Sequence, residues 1–244
     1  MDSTKKVARV AGLLYVLACL PAPFSLIYLP RKLIVPGNAT ATANNILASE
    51  SMFRLGMAGE LVNAIGFLFV TLALYRLFRG VDKRHASLMV ILFAVSIPIS
   101  CLNVLNEFAA LILIRGATFL SVFTKPQRDA LAMVFLRLHG YGFVVAAIFW
   151  GLWLLPFGVL VYRSGFIPRI LGVWLIVNGF AYPAISFTAL LMPQYRDLVS
   201  RVTLPLLFGE AAIMLWLIIV GVRQRRPSAS VAPVGQADAA APSY

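Results

Sequence analysis

The chain has 244 residues, 61% hydrophobic and only 12% charged, with a formal net charge of +12. A soluble domain is about half apolar and about a quarter charged, so this composition excludes an ordinary soluble globular protein and calls for a polytopic membrane bundle. In a soluble chain such a positive charge would suggest nucleic acid. Here the basic residues flank apolar segments, which makes them topology determinants and headgroup contacts, with the lipid bilayer as partner and no nucleic acid.

Six apolar stretches are long enough to span, at about 20 residues per helix. They cover roughly 7–28, 53–78, 86–114, 130–162, 167–192 and 204–222, within a transmembrane domain of residues 1–226. The first follows Lys5, Lys6 and Arg9, an opening shared with signal peptides. Val16-Leu17-Ala18-Cys19 also resembles a weak lipoprotein cleavage box, but the apolar run continues to Tyr28. The segment is therefore expected to remain as a helix. The loop that follows, about 29–52, is the longest; Asn38, Thr40 or Thr42 in it can cap a short helix reaching Leu47. The third and fourth spans exceed what a bilayer needs, and Pro21, Pro23, Pro98, Pro156 and Pro183 fall within spans, so tilt and kinks are expected. The last stretch, 227–244, is rich in Ala, Pro and Ser and reads as a disordered tail.

Basic residues set the orientation. Twelve flank one side, including Lys5, Lys6, Arg76, Arg79 and Arg223; eight flank the other, including Arg31, Lys32, Arg115 and Arg196; Arg137 inside the membrane completes the 21. The bias places both termini in the cytoplasm. Cys19 and Cys101 fall within apolar runs, without metal spacing, and read as buried free thiols.

Against this background the ionisable residues inside the spans stand out: Glu60, Glu107, Glu210, Arg137 and His139, with Asn63, Asn103 and Asn106 beside them. Each charge in the hydrocarbon costs on the order of 2.5–3.5 kcal/mol on insertion scales and calls for a reason. Counted at about 1.5 Å per residue from the expected helix ends, the five ionisable residues all lie in the outer third of the membrane. That agreement predicts one polar site in the outer leaflet, built from the second, third, fourth and sixth spans. Asn103, Asn106 and Glu107 share one helical face, as do Glu60 and Asn63. Arg137 and His139, two apart, point in roughly opposite directions, so only one of them can face the glutamates squarely. Asn178, Tyr182 and Ser186 step by four along the fifth span and can add a polar wall.

Three functions fit such a constellation. The charges can be structural, Arg137 pairing with glutamates while asparagines stitch helices. They can form a pocket for a small polar ligand, cation or proton, with Glu60, Glu107 and Glu210 supplying negative charge, His139 a proton or metal contact and Arg137 compensation. Or they can belong to a membrane-embedded metalloenzyme such as a hydrolase, His139, Glu60, Glu107 and Glu210 being suitable ligands for zinc. No His-x-x-x-His, Gly-x-Ser-x-Gly, phosphate loop or dinucleotide fingerprint accompanies them. The binding pocket is the reading adopted here. Phe149, Trp150 and Trp153 are expected to pack against lipid or neighbouring helices, and Gly140 and Gly142 to leave room beside His139.

Three segments carry a family likeness: 5–15 (KKVARVAGLLY), 32–46 (KLIVPGNATATANNI) and 149–156 (FWGLWLLP). With them the chain, from about Lys5 to Val222, resembles a bacterial family of multi-span integral membrane proteins that share a domain of unknown function. The resemblance implies a bacterial cell membrane and a multi-span helical bundle. It implies no activity and no catalytic residues.

Overall fold

In a computed structural model, which describes Ser3–Val222, the chain is all helical: α1 (Ser3–Cys19), a π-helical segment (Pro23–Tyr28), α2 (Leu29–Leu33), α3 (Ala39–Ala48), α4 (Glu50–Phe78), α5 (Lys83–Arg115), α6 (Lys125–Leu152), α7 (Leu154–Ser164), α8 (Arg169–Leu191) and α9 (Arg196–Ile219). These make six spans long and apolar enough to cross a membrane, α1 joining α2 and α6 joining α7 to form single crossings. The expected tail, with Arg223, Arg225 and Arg226, lies outside the described residues.

Large apolar side chains such as Leu13, Phe69, Ile91, Leu102, Phe180 and Leu215 point outward and remain exposed on the bundle, as lipid-facing residues do. Each span packs on its predecessor and successor, and α9 returns to α1. The six crossings thus form a closed ring with the ends of α1 and α9 on one face, called here the terminal face. The loops between α2 and α4, α5 and α6, and α8 and α9 occupy the opposite, long-loop face. Two apolar clusters fill the ring. One, toward the terminal face, is centred on Tyr15, Phe78, Trp153 and Phe157. The other, toward the long-loop face, holds Leu33, Ile46, Phe53, Leu111 and Leu136.

The breaks have local causes. Pro21 and Pro23 lack the N–H that would bond the preceding turn; α1 stops at Cys19 and the chain resumes as the wider π turn. Asn63 of α4 donates to the Ala18 carbonyl at this break (2.8 Å), so the backbone group is not left bare in an apolar setting. Pro156 acts one turn upstream, separating α6 from α7 at Trp153. Pro98 and Pro183 lie within unbroken helices. In the long loop Asn38 caps α3, accepting from the Ala41 N–H at 2.9 Å. Asp82 caps α5 in the same way, through the His85 N–H.

Close helix approach relies on missing side chains. A Cβ on Gly172 of α8 would stand 2.7 Å from both the Gly158 carbonyl and the Tyr162 backbone nitrogen. The helices there touch backbone to backbone, as small residues permit in membranes.

Candidate functional site

Glu60 on α4, Glu107 on α5 and His139 on α6 meet inside the ring. His139 Nε2 lies 2.9 Å from Glu60 Oε2 and 3.7 Å from Glu107 Oε2. The first is hydrogen-bond distance and the second is too long for one. Glu107 Oε2 is accordingly buried without a hydrogen-bond partner. The three side chains are 9–13% exposed, so the site is a desolvated one.

Neighbours fix His139. The Asn103 amide donates to the His139 carbonyl (2.9 Å), tying α5 to α6 at this level. A Cβ on Gly142 would collide with that amide and force it to shift. Phe143 meets the imidazole edge-on, with ring centroids 4.8 Å apart. Asn106 donates back to Asn103 on its own helix (3.2 Å) and supports the amide rather than the carboxylates.

A cavity of about 510 Å³ opens beside the triad, lined by Glu107, His139, Gly140, Phe143 and residues of the π segment, α2 and α3. It reaches the surface at the exposed Arg196. A narrow space of about 20 Å³ continues past Glu60 and Asn63 toward Trp150.

Two of the expected members are elsewhere. Arg137 is exposed on the outside of α6; it is His139 that faces the glutamates, and the expected charge compensation by Arg137 is not formed. The 100° step of a helix makes this exclusive: two positions along, a side chain has turned roughly 200°. Glu210 lies in a separate cluster nearer the terminal face. Its Oε2 accepts from Tyr15 Oη at 2.6 Å and its Oε1 from Tyr182 Oη at 2.8 Å. The Asn178 amide stands beside this carboxylate without reaching hydrogen-bond geometry.

The depth count failed for Glu210 because α9 begins at Arg196, not near Leu204. From Arg196, Glu210 is about 21 Å along the helix, whereas Glu60 is about 15 Å from the start of α4 at Glu50. The polar run 196–203 continues the helix beyond its apolar part. Tyr15 was missed altogether, although a signal existed: Ala8, Ala11, Tyr15 and Ala18 repeat at three and four residues, and all four are buried. Ser186 bonds only the Tyr182 carbonyl one turn back on α8.

The fold and this polar interior define a multi-pass, all-α membrane protein. Residues 10–221 match the model of DUF4386, a domain of unknown function, and the chain belongs to that family. No curated protein and no solved structure matches it.

Proposed function

We propose that this DUF4386 member is a multi-pass protein of the bacterial cell membrane whose cavity on the long-loop face binds a small cation at Glu60, Glu107 and His139, with zinc the best-fitting candidate. Charge supports this. Among the described residues, the basic group within ion-pair distance of these carboxylates is His139. Even a protonated imidazole leaves two ionised carboxylates one positive charge short, and a buried unpaired charge is strongly disfavoured.

Geometry supports it too. The three ligand atoms lie within 4.8 Å of one another. Donors around a tetrahedral zinc, each about 2 Å from the metal, stand roughly 3.3 Å apart, and the two His139 distances of 2.9 and 3.7 Å bracket that value. The observation that carries the proposal is the buried Glu107 Oε2, which has no hydrogen bond and lies close to the other two donors.

A second reading rests on the adjoining cavity. Three protein ligands with the remaining position open to a ligand space is the arrangement of catalytic rather than structural zinc, so a hydrolytic reaction on a small substrate entering beside Arg196 fits the same site.

The orientation proposed with this reading has the terminal face in the cytoplasm and the cavity opening to the outer leaflet, from the basic residues flanking the spans. Metal analysis of protein purified in detergent tests the central claim. About one zinc per chain is expected, lost in His139→Ala and in Glu107→Gln. Metal-free protein that also fails to take up added zinc, or equal zinc in wild type and His139→Ala, would overturn it.

A further inference from the structure

The cluster around Glu210 is a second site, distinct from the triad and independent of the metal reading. Its cavity has a volume of about 350 Å³ and an aromatic wall: Tyr15, Phe67, Phe93, Trp150, Trp153 and Tyr182, with Glu210 among them. The rings brace one another. Phe67 stands edge-on to Tyr15 and stacks on Phe93, at 5.2 Å between centroids in both cases, and Phe93 meets Trp153 at 5.3 Å. The faces bordering the cavity are therefore set before any ligand arrives.

The carboxylate is oriented as firmly. Both oxygens accept from tyrosine hydroxyls, Tyr15 from α1 and Tyr182 from α8. Those partners are neutral, so they leave an ionised Glu210 without a counter-charge, which a bound cation would supply, and each oxygen keeps a further acceptor site. The donor set suits a metal poorly: one carboxylate already bonded by two phenols and a single thiol at Cys19 contain no imidazole, the Asn63 amide is taken up by the Ala18 carbonyl, and the rest of the wall is ring and alkyl carbon. It repels anions. It matches a cation whose own surface is apolar, because ring faces attract positive charge through their quadrupoles and most strongly when water is excluded.

We propose that this cavity binds a monovalent organic ammonium ion with apolar substituents, its charge held between Glu210 and the aromatic faces. The route in selects the same class. Ala22 and Leu26 of the chain after α1 and Ala211 and Met214 of α9 also line the cavity, and Leu26 is 40% exposed. The opening thus lies on the flank of the bundle at membrane depth, where an amphiphilic cation partitions and a strongly hydrated inorganic ion does not.

The test uses benzyltrimethylammonium, which keeps its charge at every pH, and neopentylbenzene, its uncharged isostere, presented to the full chain in the same neutral detergent. Binding is read by calorimetry and by tryptophan fluorescence, since Trp150 and Trp153 line the cavity. Saturable binding of the cation is expected, at least about tenfold tighter than the isostere. Glu210→Gln, which keeps the side-chain shape and removes the charge while one tyrosine hydroxyl turns to accept from the amide, is expected to weaken the cation by at least about tenfold and leave the isostere unchanged. No saturable binding, equal affinity for the two molecules in the wild type, or undiminished cation binding in Glu210→Gln would overturn the proposal. The wild-type comparison decides by itself should the variant fail to fold.

Discussion

Arg137 and His139 stand two residues apart on α6 and face opposite ways: Arg137 is exposed on the bundle's outside, while the His139 ring is 2.9 Å from Glu60 inside it. That division of labour makes the two positions a matched pair for experiment. Arg137→Gln is expected to leave zinc affinity within about twofold of wild type. His139→Ala is expected to lower it by at least about 100-fold, a first-ligand loss exceeding the 10–100-fold typical of supporting residues. Zinc titration against a competing chelator measures both, and a loss in Arg137→Gln equal to that in His139→Ala would return Arg137 to the site.

Asn103 acts on the triad through the His139 backbone, so its removal separates support from ligation. In Asn103→Ala the His139 carbonyl loses its donor, and zinc affinity is expected to fall about 10–100-fold. The same titration checks it; an affinity unchanged within about twofold would show that the imidazole needs no such anchor.

Backbone contact between α7 and α8 leaves no slack at Gly172. Gly172→Ala is expected to destabilise the protein by roughly 1–3 kcal/mol, as overpacking does. Gly140, with nothing within 4 Å of its missing Cβ, is the control. Gly140→Ala is expected to be neutral or up to about 1 kcal/mol stabilising, from helix propensity. Unfolding of the two variants in detergent gives the comparison, and equal stabilities would contradict the contact.

Asp82, in the turn before α5, accepts from the His85 N–H at 3.1 Å and lies 2.7 Å from His85 Nδ1 and 3.0 Å from Arg163 Nη1. The His85 backbone N–H, followed by the His85 ring, holds its carboxyl below the ordinary carboxylate range. A carboxyl with a depressed folded pKa stabilises the folded state above its unfolded value, about 3.9, and that stabilisation is lost as pH falls through the folded value. Asp82→Ala is therefore expected to melt below wild type at pH 7, with the gap narrowing as the pH falls below about 4. A gap constant from pH 7 to pH 3 would remove the charge from the explanation.

Sidedness is tested with single cysteines in a Cys19→Ala, Cys101→Ala background. Thr40→Cys, exposed in α3, is expected to react in intact cells with a membrane-impermeant maleimide, and Gly80→Cys, exposed in the turn after α4, only after lysis. The opposite pattern would invert the bundle and move the proposed metal site to the inner leaflet.

Hydropathy made the six crossings legible, because each apolar run is about as long as a bilayer core is thick, or longer. The long loop's helix was legible too, from Asn38 at its start. The triad's residues could be named for a simpler reason: an acid or imidazole in hydrocarbon is conspicuous whatever it does. Their partners were harder to assign. The choice between Arg137 and His139 depends on the rotation of α6 about its axis, and a span apolar on nearly every face carries no periodic signal for that. Glu210 was misplaced because the apolar segment marks where a helix is buried, not where it begins, and α9 runs eight residues ahead of Leu204. Tyr15 lay hidden because a tyrosine in an apolar run looks like packing, and only the fold brings it to a carboxylate 195 residues away.

That separation sets an order of assembly. Every other neighbour in the ring is adjacent in the chain and can pair as soon as it is inserted, but the seam between α1 and α9 joins the first crossing made to the last. Until α9 arrives, α1 lacks the cover that Leu217 and Ile218 give Gly12, and the Tyr15 hydroxyl lacks its acceptor. A chain interrupted before its sixth crossing therefore carries a mark of incompleteness within the membrane. Closing the seam erases that mark and completes the aromatic cavity in the same step.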